Sequence, residues 1–191
     1  MKLLLYCTKA KPILRKFYNY FLDKHTDNYY WKKGQVAPYN FNGKIVAECD
    51  YEVDRLSNNN IYKEYVLEHN SELWENDILT KSCLTYDELN NYLSGNGYAI
   101  HIKNLHIFDE PKKLSEYYSI IDMGGGMLGT KPLIKAPQNM MSVSSNQWEY
   151  CFYNPNDINI LISIRPEWLC KILNGEKTIE VRKKVLKEMI R

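Results

Sequence analysis

An α+β fold, a small barrel or roll of short strands with short helices between them, is what this sequence predicts. Three observations lead there. Runs rich in β-branched and aromatic residues recur along the chain, a helix-capping signature marks one short helix, and the regular alternation of a doubly wound parallel sheet is missing. With 191 residues the chain is long enough for one well-cored unit, so it reads as a single domain over 1–191.

"KLLLYCT" (Lys2 to Thr8) is short and continuously apolar and runs into the Lys/Pro turn "KAKP", which predicts a buried opening strand. "GKIVAECDYEV" (Gly43 to Val53) predicts a second strand. "GYAIHIKNLHIFD" (Gly97 to Asp109) predicts a third, alternating through Ile100 and Ile102 and, past a bulge, Leu105 and Ile107. Between them "TYDEL" carries a Thr-x-x-Glu capping box, Thr85 with Glu88, that starts a short helix ending near "SGNG". "EPKKLSEYY" predicts another helix with Pro111 in its first turn. "DMGGGMLGTKP" (Asp122 to Pro132) has the glycine spacing of a phosphate-binding loop, but Thr130 stands where Lys is required and Pro132 blocks the following helix. A flexible surface loop is expected there instead.

The most regular patterning lies near the C-terminus. "ILISI" (Ile160 to Ile164) predicts a buried strand, and Pro166 suits the first turn of a helix whose apolar face is Trp168, Leu169, Ile172 and Leu173. Asn174-Gly175 is the stop. "KTIEVRKK" restarts as a strand with Ile179 and Val181 on one side and Thr178, Glu180 and Arg182 on the other. A carboxylate and a guanidinium two residues apart, close to Lys177, set charges of both signs at the edge of a cleft, or else a solvated strand face with a surface ion pair.

The totals narrow the function classes. Hydrophobic residues at 45% and charged residues at 25% are globular proportions and exclude a disordered or fibrous chain. No apolar run approaches the ~20 residues that span a bilayer, and the N-terminus lacks a signal-peptide pattern, so a cytoplasmic protein without a membrane partner is expected. Five scattered cysteines without CxxC spacing predict reduced thiols, no metal site and no cofactor. A net charge of +2 gives little long-range pull on a polyanion, so nucleic-acid contact requires a local cluster of Lys and Arg. The 16 Tyr offer rings for base stacking, but filling strand faces and half-buried surfaces is the commoner use of Tyr and the reading preferred here.

"SIRPEWLCKILNGEKTIEVRKK" resembles the signature of the ASCH domain family, whose members have a PUA-like β-barrel and usually begin with a strand, a helix and a Gly-x-Lys-x-x-Glu-x-Arg strand. Those positions are here Gly175, Lys177, Glu180 and Arg182. "YCTKAKP", "NGKIVAECDYEV", "SCLTYDEL", "GYAIHIKNL", "DEPKKLSEYY" and "KAPQNMM" extend the resemblance over most of the chain. In similar proteins the "SIRPEW" segment comes first and "YCTKAKP" follows it. Here residues 158–191 end the chain, and joining Arg191 to Met1 restores the usual order. The resemblance thus implies a circularly permuted PUA-like barrel with short flanking helices, a domain-swapped or truncated tandem copy being the alternative.

It also implies a cleft beside the barrel that binds RNA or a nucleotide or modified nucleoside. Lys177 and Arg182 would contact phosphate or a base edge, and Glu180 would accept from an exocyclic amine. Arg165 and Lys9 would add charge, Trp168 or Tyr6 a stacking face unless Trp168 serves as a core residue of its helix, and His101 either a further site group or a buried, hydrogen-bonded structural His. Some relatives remove an acetyl group from acetylated cytidine with the motif Lys and a Thr three residues on. Glu180 replaces that Thr here, which leaves a hydrolase with Glu180 as general base and Lys177 at the oxyanion, acting on a modified nucleoside or RNA. That reading expects Lys177→Ala to abolish turnover with the fold intact. Ile100 and Met140 stand where relatives often carry Trp. A ligand-sequestering or protein-interaction module in phage and host conflict is the third class.

Overall fold

A computed structural model of the chain describes residues 1–8, 41, 43–57, 78–148, 151–152 and 158–190. Two compact units are present, each assembled from two stretches of chain: residues 1–49 with 105–170, and residues 50–104 with 171–191.

The first unit is built on β1 (Leu3–Cys7), the start of β2 (Lys44–Ser57), the end of β3 (Asn96–Lys113), and β4 (Tyr118–Gly124), β5 (Met127–Pro132), β6 (Met140–Ser144), β7 (Cys151–Phe152) and β8 (Asn159–Ile164). Its hydrogen-bonded order is β7-β5-β4-β6-β8-β1-β2. β1 lies parallel to β8, Leu3 beside Ile160 through Cys7 beside Ile164, and antiparallel to β2. Interior strands are covered on both faces and must be apolar at every position, which is why "LLLYC" and "ILISI" show no alternation. Leu4, Tyr6, Ile45, Phe108, Tyr117, Leu133, Val143 and Leu161 form one core cluster there.

The second unit holds the remainder of β2, a helical segment over 78–82, helix α1 (Tyr86–Leu93), the start of β3, and β9 (Ile179–Arg182), in the order β2-β3-β9. Its core is Leu56, Ile78, Leu89, Leu93, Ala99, Ile179 and Val181. Helix α1 opens with the expected capping box: the Thr85 N–H donates to Glu88 Oε2 at 2.8 Å, and the Glu88 N–H donates to Thr85 Oγ1 at 3.3 Å. The helix that begins at Pro166, α2, runs from Pro166 to Leu173, as the sequence predicts.

A mostly-sheet α+β fold with few short helices is what these elements make. The strand order ends at β7 and β9, and among the described residues no pairing joins these two strands, so the sheet they form is not closed. No helix among the described residues is long and apolar enough to cross a membrane.

Two local expectations are corrected. "DMGGGMLGTKP" is no flexible loop but the β4–β5 hairpin, Asp122 opposite Leu128 and Gly124 opposite Met127. Gly124, Gly125 and Gly126 take φ of 84°, 65° and 80°, a left-handed run that a Cβ would oppose, so the glycines shape the turn. "EPKKLSEYY" is no helix either: β3 continues through Pro111, and the helical signal survives only as a 3₁₀ turn over Leu114–Glu116, with the Lys113 N–H donating to Glu116 Oε1 at 2.6 Å. Between Ile102 and Leu105, where a bulge is expected, Asn104 takes the left-handed φ of 49°.

Burial perturbs the acids of the first unit. The Cys7 thiol is pushed up by desolvation and by Cys170 and Glu167. Cys170 is pushed up to about 12 from an ordinary 9.0, and Tyr117 to about 12 from 10.0, both chiefly by desolvation. A raised acid keeps its proton in the folded state after the unfolded chain has lost it. Its stabilising contribution is therefore complete below the unfolded value and is lost as pH climbs toward the folded one. Stability is expected to fall from about pH 9 upward, first through the thiols and then through the phenols. Denaturant midpoints near neutrality and at about pH 10.5 check this, and Cys170→Ala should shrink the difference between them.

Candidate functional site

The chain turns at 82–84 because a helix ends there. The Leu84 N–H donates to the Leu79 carbonyl and the Cys83 N–H to that of Thr80, both at 3.2 Å, and Cys83 sits at φ 55°. This is a Schellman closure with Cys at the left-handed position that glycine usually occupies. Leu79 and Leu84, the residues whose contact accompanies such a motif, both pack on the second unit's core. The last helical carbonyls still require donors. Thr178 N–H takes Lys81 O at 2.9 Å, and the Lys177 ammonium takes Ser82 O at 2.7 Å, a cation at the negative end of the helix.

Lys177 is delivered to that carbonyl by the turn after α2. Asn174 Oδ1 accepts from the Glu176 N–H at 3.0 Å and Lys171 O accepts from the Lys177 N–H at 2.9 Å, while Thr178 O accepts from the Ile102 N–H of β3 at 2.8 Å. β9 then alternates as expected: Ile179 and Val181 enter the core, and Glu180 faces the other way, opposite Ile100. Glu180 Oε2 lies 3.4 Å from Lys177 Nζ and Oε1 lies 2.9 Å from Arg182 Nε. The Arg182 Nε–H is not directed at that oxygen, so the second contact is an ion pair rather than a hydrogen bond.

Two cations thus share one carboxylate with little water around them: the side chains of Lys177, Glu180 and Arg182 are 3%, 10% and 14% exposed. Desolvation pulls the Lys177 ammonium below its usual range, and Glu180 pulls it back. The sequence-level alternative, a solvated strand face with a weak surface pair, is excluded by this burial.

His101 does not join them. Its register partner is Ile179, so it lies on the face of β3 opposite to Glu180, and its Nε2 lies 2.8 Å from Asp54 Oδ2. Lys103 with Glu52 at 2.6 Å and Asn104 with Asp50 at 2.9 Å continue that cross-strand ladder. Its acids recur at every second residue in "DYEVD", a signal passed over in favour of the C-terminal motif. Tyr6 is 6% exposed within the first unit's core cluster and presents no stacking face. Arg165, exposed, accepts at its carbonyl from the N–H groups of Trp168 and Leu169 at the start of α2, and Trp168 is half-buried. Lys9 lies outside the described residues.

The chemistry open to the triad is narrower than the sequence implied. Both Glu180 oxygens lie against cations, so the carboxylate is a poor general base, and Lys177 is committed to Ser82. Lys177→Ala would leave Glu180 without one of its two cations in a buried setting, so an intact fold is not expected of that variant. Among the described residues no group of three or more His, Cys, Asp or Glu side chains is placed to hold a metal. Comparisons with protein-family models, with curated proteins and with solved structures returned no match.

Two substitutions test the local geometry. A Cβ at Gly97 would run into the Leu93 side chain and sit 3.0 Å from the Arg182 carbonyl, so Gly97→Ala should cost about 1–3 kcal/mol in denaturant unfolding. Cys83→Gly should raise stability by roughly 0.5–1 kcal/mol in the same measurement, because it relieves a left-handed non-glycine residue.

Proposed function

We propose that this chain is an ASCH-like domain of PUA-like, circularly permuted type that binds RNA or a nucleotide-sized ligand, including modified nucleosides, at Arg182. What supports the reading is the convergence of the three charged motif residues on one another, with Glu180 within 2.9 Å of Arg182 and 3.4 Å of Lys177. Arg182 is the most exposed of the three and has the planar donor geometry suited to phosphate or an acceptor-rich base edge. Glu180 and Lys177 are positioning residues here: the carboxylate orients the guanidinium, and the ammonium holds the carboxylate and the helix end.

Arg182→Lys, which keeps a cation beside Glu180 but removes the planar fork of donors, is expected to lose the ligand while retaining a cooperative melt. The check is mass spectrometry of nucleotides, modified nucleosides and RNA retained by purified wild type and variant from a mixed pool. Equal retention by the variant, or none by the wild type, would contradict the proposal. New products made by the wild type alone would return the hydrolase reading.

A further inference from the structure

We infer that residues 183–187, which follow Arg182 in the chain, form with Tyr92 a phosphate-contact surface for single-stranded RNA, an inference that rests on the Arg182 reading. "RKKVLKE" places Arg182, Lys183, Lys184 and Lys187 within six positions, against the carboxylates of Glu180, which pairs Arg182, and Glu188, although the whole chain carries only +2. The cluster is the local concentration of cations that a nearly neutral protein needs to hold a polyanion.

The side chains of Lys183, Lys184 and Lys187 are exposed. The backbone beneath them is anchored by the 3₁₀ turn Lys187–Met189: Met189 is 4% exposed, its N–H donates to Leu186 O at 3.0 Å, and the Ile190 N–H donates to Lys187 O at 3.2 Å. These cations are therefore displayed on a held segment directly after β9.

Beside them stands an aromatic ring. Tyr92, at the edge of the α1 face that buries Leu89 and Leu93, is 42% exposed, and Lys183 Nζ lies 5.5 Å from its ring centroid. An exposed ring bordered by cations suits stacking of an unpaired base with its phosphates on the neighbouring lysines, which favours a single strand over a duplex, whose bases are already stacked. The surface also assigns the ligand: a strand of several nucleotides engages Arg182 and the lysines together, whereas a mononucleotide engages Arg182 alone.

The test is fluorescence anisotropy of a labelled, mixed-sequence single-stranded RNA of about 12 nucleotides over a salt series, with mononucleotides titrated against wild type and Arg182→Lys. RNA should bind wild type more tightly than any mononucleotide. The triple variant Lys183→Gln/Lys184→Gln/Lys187→Gln should reduce the slope of log affinity against log salt by about 2, at roughly 0.7 per phosphate contact. Tyr92→Leu should weaken RNA binding roughly tenfold. Unchanged affinity and slope in the triple variant, mononucleotides binding as tightly as RNA, or binding to anionic lipid vesicles without RNA binding would each overturn the surface. If wild type binds mononucleotides through Arg182 but the RNA no better, the Arg182 reading survives and this inference fails. If it binds neither, both fail.

Discussion

The second unit depends on where one buried ammonium goes. Lys177 arrives from the turn after α2, closes the last carbonyl of the segment at 78–82, and neutralises one side of Glu180. Move that nitrogen and a helix end loses its cap while a carboxylate buried opposite Ile100 loses a counter-ion. Each consequence carries an unfavourable desolvation term, and together they explain why Lys177 is 3% exposed yet hydrogen-bonded to a main-chain oxygen rather than pointing into solvent.

A buried ion cluster of this kind is weak evidence of stability, because an apolar trio of similar volume often serves as well. Its value is in direction. Glu180 is fixed from one side by Lys177 and lies against Arg182 on the other, so the guanidinium at the wetter end of the cluster has a defined position. Position, more than net charge, is what a ligand-recognising arginine needs, since its planar donors act in fixed geometry. The Cys83 backbone fits the same logic. A left-handed residue without the freedom of glycine is tolerated where the bonds on either side of it, Cys83 to Thr80 and Leu84 to Leu79, leave the chain no other path.

Much of the architecture was legible because local signals and tertiary demand agreed. The capping box at Thr85 and Glu88, the proline start of α2, the unbroken apolar runs of β1 and β8, and the alternation of β9 all state in sequence what packing then requires. Where they disagreed, pairing won. β3 carried "EPKK" as strand despite a helix-like signature, and glycines that read as slack became the turn of a hairpin. In the site, the spacing of Lys177, Glu180 and Arg182 left a cleft and a solvated face both open until the ASCH resemblance singled them out, their burial was not legible, and Ser82 was invisible because its contribution is a carbonyl that every residue possesses. The burial of Tyr6 and the strand face of His101 were hidden for one reason: the type of a side chain is legible in a sequence, but not the face or the cover it meets.

The account's central claim is that Lys177 acts on Glu180 and on a helix end, as a positioning residue rather than a ligand contact. Denaturant unfolding of Lys177→Met, Glu180→Leu and the double variant, treated as a double-mutant cycle, tests it most directly. The account predicts that each single change costs about 3–5 kcal/mol and that the double variant costs less than their sum, since Lys177 and Glu180 are then not left facing one another's absence, and what remains is the loss of the carboxylate at Arg182 and of the donor at Ser82 O. Singles of near wild-type stability, or costs that simply add, would contradict it and return Lys177 to the solvent-facing role that its place in the motif first implied.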